Sequence, residues 1–305
     1  MTQAVRSAPL TGAEYLESLR DGREVWIDGE RVADVTAHPA FRNPARSVAR
    51  LYDAMHDPAT RDLLTAEDRH GIRTHRFLNA LLLVPGPARL ARGDRALVAD
   101  VVRAHGPHAG LQGVVHGHAR RRPRVAWYAP FEESGRQWYR RYAEQALFLN
   151  HVLINPPIDR DKAMHEVEDV YVHVVSERDD GIVVSGAKML ATGSAITHAT
   201  FVAQNSAVQL EEGKAEDYAL VFIAPMDTPG KRLICRNSYE SAARSPWDNP
   251  LSSRFDENDA VVIFDDAFIP WENVLVYRDV KKATGFYASS GFMPRYTLQS
   301  ARAWR

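Results

Sequence analysis

Two hydrophobic periods divide this chain of 305 residues. Up to about residue 150 apolar residues return every three or four positions, and beyond residue 160 they alternate with polar ones. The first period predicts helices. Thr11 and Glu14 have the spacing of a capping box ahead of Tyr15, Leu16 and Leu19, with Asp21 and Gly22 as the stop. Val48, Leu51, Tyr52 and Met55 mark a second amphipathic helix, and Tyr139, Tyr142, Ala146 and Leu149 a third over 132–150. Asp28 and Gly29 sit between short apolar runs and predict a tight hairpin. The second period predicts strands at 170–175, 182–185, 201–203, 218–223 and 260–264, with a turn at 179–181. From Thr284 a further helix is expected. The sum is an α+β chain: a mainly helical domain over 1–149, a β-barrel or sandwich over 150–283, and the start of another helical domain over 284–305.

Composition narrows the class. A hydrophobic share of 45% and a charged share of 25% are those of a globular protein with an ordinary core. A net charge of −1 gives no general attraction to nucleic acid or membrane surfaces. The one cysteine, Cys235, excludes an internal disulfide and a cysteine-rich metal site, and fits a reducing cytoplasm. No apolar run approaches the length of a membrane span, and the first residues lack the apolar core of an export signal.

The joint between the two periods holds the densest chemistry. Within 150–160 stand Asn150, His151, Asn155, Pro156, Pro157, Asp159 and Arg160. The two prolines stiffen an extended turn. Such a turn can hold a titratable group still in a pocket wall; it can equally be an interdomain turn with an idle, hydrogen-bonded histidine. His38 and His198 read as structural, and His173, in an alternating strand, as facing solvent. Arg254, Asp256, Glu257 and Asp259 read as a charged loop network, and no metal site is expected there because no His or Cys joins them.

Several long motifs resemble one family. They include Gly22-Arg23-Glu24-Val25, His38-Pro39-Ala40-Phe41-Arg42-Asn43, the 150–160 stretch, Val184-Ser185-Gly186-Ala187-Lys188 and Ala191-Thr192-Gly193-Ser194-Ala195. Pro250-Leu251-Ser252-Ser253-Arg254-Phe255-Asp256 and Ile269-Pro270-Trp271-Glu272-Asn273-Val274 extend the match. The chain resembles the oxygenase component of the 4-hydroxyphenylacetate 3-monooxygenase family, two-component FADH2-dependent aromatic hydroxylases. The resemblance implies an acyl-CoA-dehydrogenase-like fold with N-terminal helices, a middle β-barrel and a C-terminal four-helix bundle, the last largely missing here. It implies a tetramer, FAD reduced by a separate NADH-dependent reductase, O2 as oxidant and a phenol hydroxylated ortho to its hydroxyl. Carried over by position, His151 is the catalytic residue that meets the phenol beside the flavin. His151, Val152, Leu153, Pro157, Ile158, Asp159, Arg160 and Thr192 would line FAD, and Asn205 and Ser206 would lie near the far end of the substrate. A neutral imidazole suits the first role, because accepting the phenol's proton makes the ring more nucleophilic.

Residues 80–126 depart from the family. They contain eight arginines and four histidines but no aromatic residue, Ile, Ser, Thr or Lys. An anion-binding patch is one reading, although no aromatics interleave to stack on bases. The favoured reading starts from the codons: every residue type in the run has a codon beginning with G or C. A one-base slip in a GC-rich gene produces that bias, and the slipped frame over 97–103 and 105–123 can encode family-like segments. The same reading applies after residue 300. Resequencing is expected to show a paired insertion and deletion; a single uninterrupted frame relative to close relatives refutes it. The competing functional reading of the whole chain is a non-catalytic remnant or interaction module.

Overall fold

A computed structural model describes residues 8–67, 71–76, 128–159, 161–167, 169–205, 208–239, 243–245 and 247–289. The departing run 80–126, Arg160, Ser206 and the chain after 289 lie outside the described residues. The fold is α+β.

The helices α1 (Gly12–Ser18) and α2 (Arg42–Ala54) pack together, followed by the single turn α3 (Arg61–Leu64). The capping box forms as expected: Glu14 N donates to Thr11 Oγ1 at 3.2 Å, and Thr11 N donates to Glu14 Oε2 at 2.8 Å. Gly12 N donates to Asp53 Oδ1 at 2.7 Å and ties α1 to α2. The hairpin β1 (Glu24–Ile27) and β2 (Glu30–Arg31) turns at Asp28 and Gly29, both left-handed at φ 53° and 81°. A small ribbon, β3 (Thr65–Glu67) with β4 (Arg73–His75), follows. Helix α4 (Glu132–Gln145) is shorter than its apolar stripe suggests, because Ala146 takes the left-handed conformation and turns the chain. The expected helical tail instead becomes strand β5 (Leu149–Val152).

The remaining strands are β6 (His173–Arg178), β7 (Gly181–Lys188), β8 (Ala199–Val202), β9 (Leu220–Pro225), β10 (Lys231–Cys235), β11 (Ala260–Pro270) and β12 (Val274–Tyr277). They form two sheets, one of order β2-β1-β10-β11-β7-β6 and one of order β12-β9-β8-β5. The early hairpin therefore belongs to the sheet of the later strands, with β1 parallel to β10. Helix α5 (Ser252–Phe255) precedes β11, and α6 (Val280–Ser289) follows β12.

Strands β8 and β9 are buried on both faces, which is why they read as continuous apolar runs. Phe222 of β9 meets Phe264 of β11 edge to face across the sheets, at 5.6 Å between centroids. On the other side of the four-stranded sheet, Phe201 of β8 meets Phe286 of α6 at 5.3 Å.

Two lysines are buried between the sheets. Lys188 Nζ donates to Gln204 Oε1 at 2.8 Å, and Gln204 Nε2 donates to Tyr218 O at 2.8 Å. Lys231 Nζ donates to Thr200 Oγ1 at 2.9 Å and Ala224 O at 3.0 Å. Each links a strand of the six-stranded sheet to the four-stranded sheet or the segment that follows it. Burial lowers the Lys188 ammonium to about 7 and holds Lys231 well below the usual range. The unfolded lysine titrates near 10.4, so between about pH 7 and 10 the unfolded chain holds the extra proton and stability rises with pH. Lys188→Met is expected to remove about 1.4 kcal/mol per pH unit of that slope. Urea unfolding at pH 7 and 9.5 reads it; an unchanged slope refutes a neutral native amine.

Candidate functional site

The 150–160 stretch joins the two sheets. β5 is an edge strand, parallel to β8, with His151 in register with Phe201 and Val152 with Val202. Ala203 N donates to Val152 O at 3.2 Å and prolongs the pairing. Ile154 then bridges to Met189, immediately after β7 of the other sheet, where Met189 N donates to Ile154 O at 2.9 Å. Pro156 and Pro157 follow, and Ile158 N closes a tight turn on Pro156 O at 2.9 Å.

At this junction lies a cavity of about 800 Å³. Its apolar wall comes from Ile154, Pro156, Pro157, Met164, Tyr171, Met189 and Val208. Its polar groups are Asn155, Asp159, Lys162, Asn205 and Gln209. An apolar surface with a few convergent polar groups is the usual make-up of a small-molecule site. Beside it, His165 Nε2 lies 3.9 Å from Glu211 Oε2, and Lys214 pairs with the same carboxylate at 2.6 Å, holding it below the usual range. These contacts draw 161–167 towards the 208–216 segment. Asn155 Oδ1 is buried with no hydrogen-bond partner among the described residues.

The sequence-predicted residues are distributed unevenly. Pro157, Asp159 and Asn205 share the cavity wall. Val152 is in the core, Leu153 packs against it, and Ile158 is exposed. His151 is half-buried with its Nδ1 shielded from solvent. It shares a face of the sheet with Phe201, on the side covered by α6. The cavity wall begins three residues further on, at Ile154.

Thr192 stands apart from the cavity: its hydroxyl donates to the Asp259 carboxylate. Asp259 lies 3.5 Å from Arg236 Nε, whose guanidinium also holds the buried Asp256 at 2.6 Å. Asn258 Nδ2 donates to Arg236 O at 2.7 Å. The acidic loop thus closes on Arg236, which sequence reasoning did not single out.

The histidines divide as follows. His198 is structural: Phe148 N donates to its Nδ1 at 2.9 Å, so Nε2 carries the proton towards Ser18 Oγ, also at 2.9 Å. Burial lowers this imidazole to about 4. His173 does not face solvent as expected; it is half-buried, with Nδ1 2.8 Å from Tyr171 O and its ring against Tyr218. Met164, Tyr171, Met189 and Gln209 were missed as cavity residues. Nothing local marks them, since the two sheets bring their four segments together.

Two packed sheets, flanking helices and a cavity at their junction define an α+β fold with a candidate small-molecule site. The family described as 4-hydroxyphenylacetate 3-hydroxylase N terminal matches residues 11–276, and the chain belongs to it. It is 53% identical over 304 residues to the pyoverdin chromophore biosynthetic protein PvcC of Pseudomonas aeruginosa, covering 98% of this chain and 59% of that protein. It is 46% identical to the 4-hydroxyphenylacetate 3-monooxygenase oxygenase component of the same organism, covering 97% of this chain and 57% of that one. A crystal structure of an HpaB oxygenase component complexed with FAD and 4-hydroxyphenylacetate superposes with a TM-score of 0.83 at 34% identity, over 95% of this chain and 60% of that one. A 4-hydroxybutyryl-CoA dehydratase from N. maritimus shares the fold, with a TM-score of 0.77 at 21% identity. The chain spans about three-fifths of the length of these relatives. Among the described residues no helix is long and apolar enough to cross a membrane.

Proposed function

We propose that this chain is the flavin- and phenol-binding part of an FADH2-dependent phenol ortho-hydroxylase. One observation carries the reading. Pro157 and Asp159, from the stretch expected to line FAD, and Asn205, expected at the substrate end, meet on one cavity wall. The donor set fits a planar heteroaromatic ring, with flat apolar surfaces from Pro156, Pro157, Tyr171 and Met189 and an orphaned amide oxygen on Asn155.

In this reading His151, Val152, Leu153, Pro157, Ile158, Asp159, Arg160 and Thr192 hold the cofactor, and Asn205 with Ser206 positions the far end of the substrate. Reduced FAD supplies the electrons that let O2 deliver one oxygen atom to the ring. His151 accepts the phenol proton as a neutral imidazole, so the ring meets the oxidant as the more nucleophilic phenolate. The apolar wall excludes water from the reacting groups. The wider frame is an acyl-CoA-dehydrogenase-like one, with a mainly helical domain over 1–149 that lends its 24–31 hairpin to a β-barrel over 150–283, and a helical domain over 284–305 that continues the helix begun at Val280. An NADH-dependent reductase, a tetramer of like chains and a cytoplasmic setting complete it. The non-catalytic module is not favoured, since relatives 44–46% identical over 96–98% of this chain are monooxygenase oxygenase components.

The test combines binding and turnover. Titration with reduced FAD and 4-hydroxyphenylacetate is expected to saturate, and His151→Ala to weaken the phenol about tenfold, the worth of one hydrogen bond to a charged or polar group. Coupled catechol formation with reductase and NADH is expected to be slow or absent, because the run 80–126 departs from the family. Failure to bind either ligand refutes the site; hydroxylation at a rate normal for such enzymes refutes the expected defect.

A further inference from the structure

We infer that the Asn155 carboxamide is a ligand-pairing group that takes a planar heteroaromatic edge carrying a hydrogen-bond donor beside an acceptor. The inference rests on the flavin-site reading and deepens it. Such an edge occurs twice in the proposed cofactor, as the imide edge of the isoalloxazine and as the amino edge of the adenine.

The carboxamide stands on the cavity wall, and its Oδ1 is buried without a partner among the described residues. A buried amide oxygen without a donor is destabilising, and native proteins keep few of them. The backbone gives Asn155 little room to relieve the defect. Ile154 is held by the bond from Met189 N at 2.9 Å, and Pro156 and Pro157 restrict the chain directly after. The side chain is therefore presented from a stiff frame. Its wall neighbours Ile154, Pro156, Pro157 and Met189 have apolar side chains, so Asn155 is a polar handle inside an apolar surface.

The chemistry selects the ligand. A primary carboxamide offers a carbonyl and an N–H side by side. A phenol hydroxyl can serve both only through one oxygen, at bent hydrogen-bond angles. The isoalloxazine imide, with N3–H between two carbonyls, meets both, as does adenine with its amino group beside a ring nitrogen.

Fluorescence titration of the full chain tests this, with FAD, FMN, N3-methyl-FMN and ADP as probes against wild type and Asn155→Leu. The substitution is expected to weaken FAD about tenfold, the worth of one to two net hydrogen bonds. If the isoalloxazine is the partner, the loss recurs with FMN and vanishes with N3-methyl-FMN; if adenine is, it recurs with ADP and not FMN. The ligand-free Asn155→Leu chain is expected to melt no lower than wild type, since the orphaned oxygen is gone. Wild-type affinity of Asn155→Leu for all four probes overturns the pairing and leaves the flavin site standing. Weakened binding together with a lowered melting temperature, or loss of the folded state, assigns Asn155 a structural role and also overturns it. A wild-type chain that binds none of the probes refutes the flavin site itself, and the pairing with it.

Discussion

Gly186→Ala is expected to destabilise the protein by about 4 kcal/mol, combining a strained backbone with overpacking, and to abolish the proposed FAD binding. Gly186 lies inside β7 at φ 116°, a conformation that side chains rarely adopt. A Cβ there would stand 2.3 Å from Tyr171 O, 2.4 Å from Tyr171 C and 2.7 Å from Val172 N. All three are backbone atoms, so no rotamer change relieves the clash. The 170–172 segment is held against β7 by the bond from Ala187 N to Val170 O at 2.8 Å and by the bridge from Tyr171 to Ala187. Relief must push that segment away, and Tyr171 forms part of the cavity wall. A lowered urea midpoint with an unchanged slope, together with a lost FAD titration, is the expected pair of results. A midpoint equal to that of wild type would show slack in the 170–172 segment and refute the argument.

Gly186 illustrates what a linear reading can and cannot supply. A glycine inside an alternating strand signals a close approach or a bulge, but only the fold identifies Tyr171 as what approaches. Features set by neighbouring residues were legible: the Thr11–Glu14 box, the Asp28–Gly29 hairpin and the strands β6, β7, β8, β9 and β11. The stripe over 132–150 misled, because Leu149–Val152 satisfies its backbone against β8 and tertiary pairing overrides helical spacing. β10 went unread for a related reason: it opens on Lys231 and Arg232, and a lysine in an apolar pattern reads as surface. Lys231 is instead solvated by the carbonyls and hydroxyl of the facing sheet. Of the candidate residues that the resemblance suggested, Pro157, Asp159 and Asn205 lie on the cavity wall, while Met164, Tyr171 and Met189 reach it only through tertiary packing.

Arg23→Ala is expected to cost about 3–5 kcal/mol, the range for removing one partner of a buried ion pair. Arg23 leads into β1, and its side chain is 4% exposed. Its Nε and Nη2 grip Asp21 at 2.8 and 2.7 Å. Its Nη1 donates to Ala195 O at 2.9 Å and Thr197 O at 2.8 Å, more than 170 residues away. That turn also receives Tyr15 Oη on Ile196 O at 2.7 Å, and Thr197 Oγ1 donates to Asn150 Oδ1 at 3.2 Å. One guanidinium thus locks the N-terminal segment onto the turn that precedes β8, the strand on which His151 is registered. Truncation leaves the partly buried Asp21 carboxylate with the 3.2 Å bond from the backbone N of residue 23 but without its cationic partner, and takes the guanidinium donor from two carbonyls. Arg23→Lys is expected to recover only a fraction, because an ammonium cannot grip Asp21 bidentately and reach both carbonyls. The functional consequence distinguishes a local from a global role. If the lock positions β5 through β8, Arg23→Ala assayed well below its lowered melting temperature still weakens the phenol; wild-type phenol affinity in the folded variant would confine Arg23 to stability.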